Sequence, residues 1–229
     1  MVYENIVVKR KCACCKADIS ISTNNLNEVI YYDKKTYHSK CFIEMCEKRS
    51  KMKRPDVAEK WKYVLNKLDT IRSESYSHFN IAIIKEAIFM FIKEAYDISI
   101  IPTSVWKKLG NIYSGTYKGM GTGIPPEHLF DMWKQKIDML NTLANNNIKK
   151  GRAMALDQRI NYDLSVLINK YDKYLKWLEK QKVLEAETKI SESQNMNSVT
   201  RAVINDKAQD VNENKDDDMT DLVDDIFDS

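Results

Sequence analysis

Two ligand pairs near the start constrain this chain more than any other feature. Cys12-x-x-Cys15 is followed, after positions 16 to 37, by His38-x-x-Cys41. A two-residue gap lets one tight turn aim both side chains at a single ion, with bonds of about 2.0–2.3 Å to nitrogen and sulfur. The stretch between the pairs is long enough for a short hairpin that closes one pair onto the other. Residues 1–50 therefore predict a small module holding one Zn2+ through Cys12, Cys15, His38 and Cys41. Four protein ligands leave no open position for water, so the predicted role of the ion is structural.

Local patterns fill in the module. Val29 to Tyr32 reads as a strand, Asp33 to Lys35 as its turn, and Thr36 to His38 as the return strand. From Ser39, a plausible N-cap, to about Arg49 the chain reads as a helix with Phe42, Met45 and Cys46 on one face and Cys41 in its first turn. Cys14 is expected to point away from the ion and Cys46 to pack in the core of the helix. Knuckle, hairpin, and helix carrying the last ligand make a treble-clef layout.

The ligand pattern together with Tyr37-His38-Ser39-Lys40-Cys41-Phe42 resembles the first half of a LIM zinc finger. It is also similar to the zinc fingers of poly(ADP-ribose) polymerase type, which recognise DNA breaks. Both use Cys-Cys-His-Cys with an aromatic before the His and Phe after the last Cys. The resemblance implies a zinc ion and a treble-clef fold over roughly 35 residues, with either DNA or protein as partner. A full LIM domain carries a second four-ligand module, for which only Cys46 remains here, and the polymerase-type finger usually has a longer gap between its pairs.

The rest of the chain predicts helices. Lys51, Lys53 and Arg54 form a basic linker over 51–54, and Pro55 can open a helix of about 55–72 through Val57, Trp61 and Val64. A break at Ser73–Ser77 precedes a helix of about 78–97, apolar on nearly every side and so the expected centre of a bundle. Shorter helical patterns start after Pro102 and Pro125, a loop is expected around Asn145–Asn147 and Gly151, and a stripe from Leu156 to Leu178 predicts one long helix over 154–187. The fold class is thus mainly α: a small finger, an α-helical bundle over 55–187, and an acidic tail from 188 whose polar composition predicts disorder.

Charge is unevenly spread. The whole chain carries +3, but beyond Ile204 ten acids face two lysines, so that segment is −8 and residues 1–189 carry +11. A basic body with an acidic tail points to nucleic acid. Candidate contacts cluster on and around the finger: Lys9, Arg10, Lys11, Lys34, Lys35, Lys48, Arg49, Lys53 and Arg54. Five of six glycines lie between Gly110 and Gly123, where no Gly-Lys-Ser/Thr ending makes a phosphate loop; Tyr117 and Lys118 are outlying candidates there for base stacking and phosphate contact. In the tail, Met219, Leu222, Val223, Ile226 and Phe227 recur at helical spacing among aspartates, a pattern suited to folding onto a protein partner's groove. This tail loosely resembles the C-terminal tips of bacterial and phage single-strand-binding proteins, which implies partner recruitment or competition with nucleic acid.

An odd count of five cysteines, three of them sharing the metal spacing with His38, reads as reduced thiols plus metal and hence as cytoplasm. No secretory leader is expected from Met1 to Asn5, and the most apolar run, Ile81 to Ile92, holds Lys85 and Glu86 and is too short to span a membrane. Abundant Lys, Asn, Ile and Tyr suggest an AT-rich bacterial or phage genome. His78 and His128 stand alone, and no catalytic constellation is visible. The expected function is a non-enzymatic, zinc-stabilised nucleic-acid-binding accessory protein, with DNA the first candidate and a protein partner at the tail. The alternative is a protein–protein adaptor that docks through its finger and tail.

Overall fold

The computed structural model describes residues 5–188. The expected acidic tail and its segment 219–227 lie outside the described residues. Two compact units are present, Met1–Lys170 and Tyr171–Ser229.

The first unit begins with two antiparallel hairpins. β1 (Val8–Lys11) pairs with β2 (Asp18–Ile21), and β3 (Val29–Tyr32) pairs with β4 (Lys35–His38). The first hairpin is not in the strand pattern read above. Its signal is short: Ile19 and Ile21 alternate inward while Asp18 and Ser20 face out, a period of two over four residues. A 3-10 turn at Leu26–Glu28 leads into β3. The second hairpin closes through Asp33 and Lys34, both left-handed at φ 48° and 58°. Positive φ at both central residues is the turn whose twist matches the flanking strands. Helix α1 (Ser39–Ser50) follows directly, with His38 rather than Ser39 at the N-cap position and no side-chain cap bond. Knuckle, hairpin and helix thus come in the expected order, over a core that includes Ile21, Leu26, Ile30, Phe42 and Cys46.

Helix α2 (Pro55–Asn66) starts at the expected proline and buries Ala58, Trp61 and Val64. It ends before Lys67, and α3 (Leu68–Ala95) then runs unbroken through the serines that suggested a break. The reason is tertiary. Ser75 is 1% exposed; its hydroxyl donates to Ile71 O at 2.6 Å and accepts the Tyr31 N–H of β3 at 2.9 Å. Ser77 likewise bonds back to Ser73 O. Serines that would favour a turn in isolation are satisfied within the helix and, at Ser75, by the strand docked on it. His78 completes this seam by stacking on Tyr31, ring centroids 3.7 Å apart and 9° from parallel.

Helix α3 packs on β3 with its first half and on α5 (Pro126–Lys149) with its second. Phe91 meets Phe130 and Trp133 edge-on at 5.7 and 6.1 Å. The finger and the helices share one compact unit, so the 51–54 linker is a surface turn between packed helices α1 and α2. Helix α5 continues through Asn145–Asn147 to Lys149, and α6 (Leu156–Asn169) ends where the Lys170 N–H donates to Leu167 O. The apolar stripe runs on past that point, so periodicity alone cannot show the break. In the second unit residues 171–188 are helical, with Tyr174 between Tyr171 and Trp177 at centroid distances of 6.3 and 5.7 Å.

A polar knot crosses the helical core. Tyr96 donates to Asp163 Oδ2 at 2.7 Å, Trp133 Nε1 donates to the Tyr96 hydroxyl at 3.1 Å, and Arg159 bonds Asn141 while lying 3.8 Å from Asp163. Burial raises the Asp163 carboxyl above its ordinary value, against the opposing pull of Tyr96 and Arg159.

The glycine-dense loop joins α4 (Thr103–Ser114) to α5, with Gly110 inside α4. Gly115 caps α4 at φ 74°, and a Cβ on Gly123 would stand 2.1 Å from Tyr113 O. The loop closes backbone on backbone, and only glycine leaves room for that. Among the described residues no helix is long and apolar enough to cross a membrane.

Two changes measure these arrangements. Ser75→Ala strands the Tyr31 N–H and is expected to cost about 1–3 kcal/mol in urea unfolding; a loss under 0.3 kcal/mol would mean the seam contributes nothing. Lys34→Gly removes a left-handed non-glycine residue and is expected to raise stability by roughly 0.5–1 kcal/mol, read as a shift in Tm.

Candidate metal centre and basic surface

The backbone around Cys12 builds half of the site. Cys12 follows the last residue of β1 and donates its N–H to Ala17 O at 2.9 Å, while Lys16 N–H returns to Cys12 O at 2.9 Å. Lys16 turns the chain at φ 66°, and its ammonium bonds Ala13 O at 2.9 Å. This knuckle is fastened to the other half by Ala13 N–H donating to Thr36 O at 2.8 Å. His38 ends β4, and Cys41 sits in the first turn of α1. Strand end and helix start thereby present the second pair to the first.

The donor atoms of Cys12, Cys15, His38 and Cys41 all lie within 4.8 Å of one another. His38 Nδ1 is 3.5 Å from Cys15 Sγ and 3.9 Å from Cys41 Sγ. A tetrahedral ion with bonds of about 2.0–2.3 Å sets neighbouring sulfur and nitrogen donors about 3.6 Å apart. The four residues fit a single metal ion, with Nδ1 as the histidine donor. Cys12 is fully buried, Cys41 half-buried and Cys15 exposed, so the centre lies at the edge of the finger core.

Electrostatics agree with a cation at this point. Burial alone would raise the Cys12 thiol, but backbone N–H groups of Cys15, His38 and Cys14 aim at it and hold it down at about 6. Cys41 is pushed up to about 12 by desolvation and by its neighbours Cys15 and Cys12. One ready thiolate at Cys12 beside a Cys41 thiol that resists joining it is an arrangement that a divalent ion relaxes. Cys46 stands apart, fully buried in α1 with its thiol raised to about 11 by burial, and Cys14 is exposed.

The sequence-derived cations are dispersed along several elements. Lys9, Arg10 and Lys11 occupy the exposed part of β1, where Lys11 pairs with Asp18 at 3.6 Å. Arg54 pairs with Asp56 at 3.0 Å, and Lys53 is exposed beside it. Lys34 lies in the β3–β4 turn. Lys35 and Arg49 are brought together in a cleft of about 450 Å³ between β3, β4, α1 and α2, lined also by Tyr32, Asp33, Tyr37, Met45, Lys60 and Trp61. A second cleft of about 580 Å³ joins Lys48, Arg49 and Lys51 to Cys14, Cys41 and Glu44. Arg49 belongs to both, with its guanidinium 4.8 Å over the Trp61 ring.

Lys60 was missed in the sequence reading. Its one signal is adjacency to Trp61, the inward anchor of α2, which places it at the rim of whatever Trp61 packs against. Tyr117 and Lys118 lie elsewhere, in the α4–α5 loop. The Tyr117 hydroxyl is 3.5 Å from Ser165 of α6, and its ring carries Lys108 and Lys118 at 4.8 and 5.6 Å. Lys108 is itself nearly buried, donating to Asn161 O and to Ser165 Oγ at 2.6 Å.

Metal analysis of purified protein is expected to return one ion per chain. Cys15→Ser should lower that occupancy and the Tm together, whereas Cys14→Ser should leave both unchanged. Acidification protonates the ligands and should release the ion; occupancy that stays flat to pH 4, or equal loss in Cys14→Ser, would contradict this ligand set. No family model, curated protein or solved structure compared with this chain gives a match.

Proposed function

We propose that this chain is a zinc-stabilised nucleic-acid-binding accessory protein of bacterial or phage origin, acting in the cytoplasm and without catalysis of its own. The ion is zinc in a structural role, because three sulfurs and one imidazole nitrogen saturate its tetrahedral shell. One observation carries the nucleic-acid reading. Lys35, Lys48, Arg49, Lys51 and Lys60, from a strand, two helices and their connection, border two adjoining clefts opposed by only Asp33 and Glu44. None of these five cations has an acidic partner within 4.0 Å among the described residues. Cations left unneutralised beside one another cost energy through mutual repulsion, and a polyanion relieves it while releasing its counterions. The +11 on residues 1–189 acts in the same direction. The acidic tail then serves to recruit a protein partner.

Binding of the metal-loaded protein to labelled single- and double-stranded DNA and RNA across a salt series tests this. Affinity is expected to fall steeply, with a log–log slope of about −3 to −5 for four to six phosphate contacts. Absence of binding at low salt would remove the reading and favour a module that docks on another protein.

A further inference from the structure

The cleft beside Arg49 has features that a merely basic surface lacks. Its cations come from three elements and point into one space: Lys35 from the start of β4, Arg49 from the last turn of α1, and Lys60 from α2. Three aromatic rings, Tyr32, Tyr37 and Trp61, line it, and Asp33 is its one carboxylate. Tyr37 and Trp61 are 7% and 8% exposed, and Tyr32 is half-buried, its ring centroid 6.1 Å from that of Trp61 and 5.3 Å from that of Phe42. Arg49 is exposed, and its guanidinium lies 4.8 Å over the Trp61 ring, a contact that favours this orientation of its fork of donors. Of the three rings, Tyr32 is the one left partly exposed. The volume of about 450 Å³ suits one small ligand unit. A duplex can only lay its backbone across such an opening, whereas a single strand can turn a nucleotide into it.

Resting on the nucleic-acid reading above, we propose that this cleft seats one nucleotide of a single strand, its phosphate on Arg49, Lys35 and Lys60 and its base or sugar against Tyr32. The zinc module then has a defined part in recognition. The ion fixes the end of β4 and the start of α1, and these two elements carry Lys35 and Arg49.

The test uses the full-length metal-loaded protein and oligodeoxythymidylate, with a duplex of equal length and thymidine monophosphate as comparison ligands. Single strand is expected to bind more tightly than duplex. Lys60→Gln, Lys35→Gln and Arg49→Gln should each reduce the magnitude of the log–log salt slope by about 0.7 and weaken binding about fivefold at 0.1 M salt. A strand carrying 4-thiothymidine, irradiated with the wild-type protein, should cross-link within residues 29–38 or 55–66. That measurement does not depend on any variant keeping its fold. Single-strand binding with unaltered slopes in all three variants and cross-links elsewhere would overturn the cleft and leave the nucleic-acid reading standing. Thymidine monophosphate that displaces the strand at equal concentration would overturn it in favour of a free-nucleotide site. Failure of the wild-type protein to bind any nucleic acid would remove both.

Discussion

Four donor atoms within 4.8 Å of one another tie together the parts of this molecule that are least able to hold themselves. The hairpins are four residues per strand, too short to be stable alone in water. The Ala13–Thr36 backbone bond and the convergence of Cys12, Cys15, His38 and Cys41 make one object of the knuckle, the end of β4 and the start of α1. Everything placed by that object inherits its position. The β3–β4 turn presents Lys34, the start of β4 presents Lys35, and α1 presents Lys48 and Arg49.

Helix α3 carries this arrangement into the rest of the first unit. It is long enough to pack twice in succession, with Ser75 and Phe79 against Tyr31 of β3 and Phe91 against Phe130 and Trp133 of α5. The polar bond from Tyr31 to Ser75 gives the seam a register that apolar contact alone would leave free to slide. Further along, the Tyr96–Asp163–Arg159 knot does the same for α3 against α6, at the cost of burying a carboxyl whose protonation is thereby favoured. The helical body and the finger thus share one compact unit, each using α3 as a wall.

Much of this was legible in the residues and some of it was not. The ligand set could be read because metal geometry forces both the residue types and the two-residue gaps. The second hairpin and α1 could be read because Val29 to Cys46 alternates and then turns helical around Phe42 and Cys46. The first hairpin escaped because Ile19 and Ile21 are its whole apolar signal. The serine run from 73 to 77 looked like a break because Ser75 has a partner, Tyr31, that lies 44 residues away in sequence. The glycine density between 110 and 123 marked a loop between helices but not its geometry; the structure shows Gly115 and Gly123 needed for backbone closure.

What the sequence by itself determined is whatever depends on near neighbours: the metal ligands, the helix starts at Pro55 and Pro126, and the basic character of residues 1–189. What only the tertiary structure decided is which of those charges act together. Lys35, Arg49 and Lys60 are separated by more than a turn of any element, and no periodicity links them. They share a cleft because β4, α1 and α2 are packed side by side around Tyr32 and Trp61, and packing of that kind depends on the whole core and not on any local pattern.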